Sequence, residues 1–114
     1  MVDADVRNIL DKASGLDPRV EGDYTGWETE GRFSLSNGYL LKIEFNQHYG
    51  LAYIILKDAS GTSLFWKHYN DAETVEYAWS WFTPRARAAH EESMRRQVKK
   101  EQDTRQRLQD FLGS

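Results

Sequence analysis

Apolar positions near the N-terminus fall at helical spacing, with Val2, Val6, Ile9, Leu10 and Ala13 on one side. Asp3 or Asp5 stands where the positive end of a helix favours an acid, and Gly15 stands where a terminal glycine cap belongs. A helix over about 3–14 is predicted. Asp17-Pro18 stops it, because a residue before proline is driven out of the helical region. Gly22, Gly26 and Gly31 then punctuate a connector carrying Tyr24 and Trp27.

From about 31 to 82 the period changes to two, the pattern of strands with one face against a core. A three-residue loop, Ser36-Asn37-Gly38, pairs Leu35 with Tyr39 and Phe33 with Leu41. A five-residue loop from Asn46 to Gly50 pairs Phe45 with Leu51 and Ile43 with Tyr53. Four-residue loops, Asp58 to Gly61 and Asn70 to Glu73, pair Ile55 with Leu64 and Trp66 with Tyr77. This register gathers Phe33, Leu35, Tyr39, Leu41, Ile43, Phe45, Leu51, Tyr53, Ile55, Leu64, Trp66, Val75, Tyr77, Trp79 and Trp81 into a core face. It turns Leu40, Lys42, Glu44, Ala52, Ile54, Leu56, Phe65, Lys67, Tyr69, Glu76, Ala78, Ser80 and Phe82 to the other side, where an apolar centre has a charged rim. Two helices are available for two faces: either each covers one, or part of the second face stays open for a partner.

Thr74 to Phe82 has two readings. Asn70-Asp71-Ala72-Glu73 resembles a helix start with a capping box, but Val75, Tyr77, Trp79 and Trp81 alternate strictly and are β-branched or aromatic, which favours a fifth strand. Thr83-Pro84 then reads as a cap followed by proline at the first helical position. The helix that follows, about 84–112, spans roughly 43 Å, about twice a strand's length, and must overhang the sheet. Its apolar side lapses after Val98 and resumes at Leu108, Phe111 and Leu112. The predicted fold is thus α+β: an N-terminal helix, a five-stranded antiparallel meander and a long C-terminal helix, in one domain over 1–114.

Composition agrees with a folded chain, being 39% hydrophobic and 13% aromatic. It contains no cysteine, which removes disulfides and thiolate sites and fits a reducing, cytoplasmic setting. No basic stretch followed by an apolar run opens the chain, and the longest apolar run, Leu51 to Leu56, is far too short to span a bilayer. No membrane association is expected. Net charge runs from −5 over residues 1–31, with Asp3, Asp5, Asp11, Asp17, Glu21, Asp23, Glu28 and Glu30, to +3 over 83–114.

The basic helix is the first candidate for chemistry, since unneutralised cations release counterions from phosphates. Glu91–Arg95, Glu92–Arg96, Glu101–Arg105 and Asp103–Arg107 are, however, acid-to-base pairs four residues apart in the favourable order, leaving mainly Arg85, Arg87, Lys99 and Lys100 unpaired. His48, His68 and His90 match no local metal-ligand spacing, no phosphate-binding glycine run or nucleophile elbow is present, and Asp71 with Glu73 sit in a predicted turn. No cofactor or metal is expected, and the chain reads as no enzyme.

These patterns point to a small binding module that regulates or inhibits a larger protein through protein–protein contacts, by fold-level analogy with some viral and mobile-element proteins of this build. Ile54, Leu56, Phe65 and Lys67 on the second sheet face, with Lys99, Lys100, Leu108, Phe111 and Leu112 on the helix, are the candidate contact residues. A homodimer through Leu108, Phe111 and Leu112 is one form of this reading. Nucleic-acid binding through Arg85, Arg87, Lys99 and Lys100 is the first alternative, and a pocket lined by Trp66, Trp79 and His68, for a small molecule or a reaction, is the second.

Overall fold

A computed structural model describes every residue except Glu28, one of the acids in the N-terminal third. The elements are α1 (Ala4–Ser14), β1 (Arg19–Val20), β2 (Glu30–Ser34), β3 (Leu40–Asn46), β4 (Leu51–Lys57), β5 (Ser63–Tyr69) and α2 (Ala72–Gly113). The strands form one antiparallel sheet in chain order. This is the expected α+β arrangement, with one exchange: the fifth strand is the two-residue β1 at one edge, and residues 74–82 are helical.

The exchange follows from the cap and from a stripe. The Asp71 carboxylate accepts from the Thr74 amide at 3.1 Å, which starts α2 well before Thr83. Thr74, Ala78, Trp81, Phe82 and Ala86 are buried at helical spacing, so the alternating large residues Val75, Tyr77 and Trp79 are half-buried flanks of a helix whose buried stripe includes small residues. Pro84 consequently lies inside α2. The turn around it is held by side chains: the Thr83 hydroxyl donates to the Trp79 carbonyl at 2.6 Å, and the Arg85 guanidinium donates to the Trp81 carbonyl at 2.7 Å.

The first hairpin has the expected register, Phe33 opposite Leu41, with Gly38 at a φ of 86° and the Leu35 amide donating to the Tyr39 carbonyl. The second differs by one residue. Asn46 belongs to β3 and pairs with Leu51, and its side chain and its carbonyl both accept from the Tyr49 amide across a tighter loop over 47–50. Phe45 therefore faces Ala52, and Ile43 faces Ile54. Since side chains alternate, that single step turns every residue of β4 to the side opposite the expected one. The third hairpin is shifted by two, with Ile55 opposite Trp66 and a bulge between Leu56 and Lys57, which leaves the faces of β5 in step with β4.

Both helices lie on the same side of this sheet. Val6, Leu10 and Ala13 of α1 and Ala78, Trp81, Phe82 and Ala86 of α2 join Phe33, Leu41, Ile43, Phe45, Ala52 and Ile54 in one core. Phe33 meets Trp81 edge-on at 5.2 Å, and Phe45 meets Trp79 at 4.9 Å. The helix starts are tied together: the Asp3 amide donates to the buried Thr74 hydroxyl at 3.0 Å, and the Asp3 carboxylate caps α1. Beyond Ser93 every residue of α2 is exposed, and the molecule is 66 Å long.

Tyr69 on β5 donates its hydroxyl to the Asp3 carboxylate at 3.2 Å. Burial, then the charge of Asp3 and this bond, push the phenol up to about 12. The folded protein thus keeps a proton that the unfolded chain releases near 10, so this contribution is complete below pH ~10 and disappears as pH rises towards 12. Thermal melts should show an alkaline loss of stability that begins near pH ~10 and is shallower in Tyr69→Phe, with phenolate absorbance locating the titration.

Candidate functional site

Because both helices cover one face, no element among the described residues covers the opposite sheet face. Its composition follows from the pairing. One row across the sheet is Arg32, Lys42, Ile55 and Trp66, and the next is Glu30, Glu44, Tyr53 and His68. Leu40 and Leu64 lie on the same side by alternation.

The face has two halves. On β2 and β3 the charges neutralise one another: Lys42 Nζ lies 2.7 Å from Glu44 and 3.5 Å from Glu30, and Arg32 Nε lies 3.3 Å from Glu30. The Glu44 hydrogen bond, opposed by burial, raises the Lys42 pKa, so that this ammonium stays protonated within a balanced cluster. On β4 and β5 the surface is apolar and aromatic. Trp66 is 61% and Leu64 53% exposed, Ile55 is half-buried, and Tyr53 lies against His68 with ring centroids 5.7 Å apart.

β5 is also a sheet edge. Among the described residues, no backbone hydrogen bond joins β5 to anything but β4, so the outward row of its peptide groups is unpaired. The opposite edge is only two residues long.

The candidate residues named from the sequence divide accordingly. Ile54 is fully buried beneath the helices, and Leu56 and Phe65 are half-buried against the core, so these three are core residues rather than surface ones. The cause is the one-residue step at Asn46. Lys67 shares their side but sits at the edge, 5.6 Å above the Phe65 ring and 4.0 Å from Asp5. Lys99, Lys100, Leu108, Phe111 and Leu112 are exposed on the overhang. The pocket expected from Trp66, Trp79 and His68 is not assembled, since Trp79 packs on Phe45 under the sheet while Trp66 and His68 lie on the uncovered side. Tyr53, Ile55, Leu64 and Trp66 share one face, as the alternation predicts, but that face is the uncovered one and not the core. Asn46, a residue that readily accepts from an amide two or three positions on, is the signal for the tighter loop that reverses them.

A cleft of about 470 Å³ lies between β1 and α2, lined in part by Arg19, Tyr24, Arg85, Glu92 and Arg96. Its cations are engaged already: Arg19 with Asp17 at 2.8 Å, Arg96 with Glu92 at 2.7 Å, and Arg85 with the Trp81 carbonyl and, at 4.1 Å, its ring. Among the described residues no group of three or more His, Asp and Glu side chains is placed to hold a metal ion, and no helix is long and apolar enough to cross a membrane. No family model, curated protein or solved structure matches the chain.

Proposed function

We propose that this chain is a non-enzymatic binding module that regulates or inhibits a larger protein by docking an extended apolar segment of it on the uncovered sheet face beside β5. One observation carries this reading: Trp66 and Leu64 are more than half exposed on a sheet face that neither helix protects. A solvated sheet face is normally polar, and a contiguous aromatic patch there is costly to leave in water unless a partner removes it. The unpaired edge of β5 supplies main-chain hydrogen bonds for an added strand, while Trp66, Leu64 and Ile55 supply the apolar contact.

Exposed aromatics also stack on nucleic-acid bases, but that mode needs free cations alongside them. Here the adjacent Arg32 and Lys42 are held by Glu30 and Glu44. A protein segment fits the charge-balanced rim better than a phosphate chain does.

Capture from native lysate with and without nuclease tests the reading, using wild type, Trp66→Glu and the double variant Lys99→Glu/Lys100→Glu. A protein held by wild type and by the double variant, and lost with Trp66→Glu, is the expected result. Nuclease-sensitive, salt-sensitive capture lost in the double variant would favour nucleic acid instead. Trp66 is mostly exposed, so an unchanged melting curve will separate lost binding from lost folding.

A further inference from the structure

The overhang of α2 has a surface independent of the sheet face. Met94, Val98, Glu101, Arg105, Leu108 and Leu112 follow one another at steps of four, three, four, three and four, the spacing of a coiled-coil seam. The four apolar members are 47–70% exposed. At roughly 100° per residue, the seam is centred more than a right angle around the helix from the side that Ala78, Phe82, Ala86 and Ser93 turn to the domain. A second helix can therefore lie along it without meeting the sheet.

The seam is symmetric in chemistry about Asp103. In an antiparallel pair centred there, Met94 faces Leu112 of the second copy, Val98 faces Leu108, and Glu101 faces Arg105. Each apolar residue meets an apolar residue and each charge meets its opposite. A parallel pair would instead set Glu101 against Glu101 and Arg105 against Arg105, burying like charges in the seam. Among the described residues, Glu101 and Arg105 form no ion pair within their own chain, although Glu92 and Arg96 do at the same spacing, so both remain available for the second copy. We propose that residues 94–112 of α2 form an antiparallel homodimer seam, two apolar ends flanking a central Glu101–Arg105 double pair, with the two domains at opposite ends.

The seam is roughly 27 Å long, shorter than interfaces of permanent dimers, so association should depend on concentration. Its orientation is set by the charged layer, in the way a polar core residue sets coiled-coil register.

Sedimentation equilibrium on the full chain tests this. Wild type should dimerise reversibly, and Glu101→Arg or Arg105→Glu alone should weaken self-association by about tenfold or more, because each sets like charges face to face. An equimolar mixture of the two should dimerise at least as well as wild type, since every central contact between them is then opposite in sign. The chain has no cysteine, so Val98→Cys and Leu108→Cys introduce sole thiols. Those two variants should cross-link to each other and not to themselves. A wild type monomeric to its solubility limit, single reversals without effect, or self-cross-linking of Val98→Cys would each overturn the proposal. All substituted positions are exposed, and circular dichroism checks that the helix is kept.

Discussion

Ile54→Ala should lower the free energy of unfolding by about 2–5 kcal/mol, whereas Ile55→Ala should cost less than about 1.5 kcal/mol. The two residues are chemically identical neighbours, so the difference comes only from where each points. Ile54 is fully buried opposite Ile43, beneath both helices, and truncating it leaves a cavity that the surrounding core cannot fill by collapse. Ile55 lies between Lys42 and Trp66 on the uncovered face, where water takes the place of the lost methyl groups. Urea titration reads both values. A larger loss at Ile55 would mean that β4 is turned the other way, with Asn46 outside the strand, and would remove the basis for the proposed docking face.

The second large effect centres on Phe82. Its ring meets Phe33 at 6.1 Å, Phe45 at 5.3 Å and Trp79 at 5.9 Å, so Phe82→Ala should cost about 3–5 kcal/mol. The same ring explains a glycine in β2: a Cβ added at Gly31 would lie 2.3 Å from Phe82 Cε2. Alanine ordinarily suits a strand better than glycine, yet Gly31→Ala should destabilise by about 1–3 kcal/mol because the ring must be displaced. In the Phe82→Ala background the obstacle is gone, and Gly31→Ala should cost distinctly less, a coupling of about 1 kcal/mol or more in a double-mutant cycle. Additive losses would mean that another contact, such as the Phe33 ring 3.0 Å from the same position, sets the requirement for glycine.

The sheet face and the helical overhang divide the work that the two proposals assign. A dimer joined through residues 94–112 carries two uncovered faces, one on each domain, and a multivalent target would be held more tightly than either face alone could hold it. Charge reversal at Glu101 should therefore weaken avidity without touching the face itself, and Trp66→Glu should abolish contact without changing the oligomeric state.

Local physics in the chain is enough for much of this molecule. α1 is marked by its spacing, its acid cap and Gly15, the 36–38 hairpin by its glycine, and the overhang by the length of the charged helix, because each depends on residues close in sequence. The sequence also groups Tyr53, Ile55, Leu64 and Trp66 on one side, since alternation is a local property. Which side that is depends on one residue at Asn46, where a tighter loop and a longer one satisfy local rules almost equally. Only the packing of Ala52 and Ile54 against Val6, Leu10, Ala78 and Phe82 selects between them. The same holds for 74–82, whose aromatic alternation matches a strand until Thr74, Ala78, Phe82 and Ala86 are seen to let a helix settle closely onto the sheet. Periodicity resolves what repeats along the chain; the choice of face is a long-range decision, made by whichever arrangement buries the most apolar surface beneath two helices on a single side.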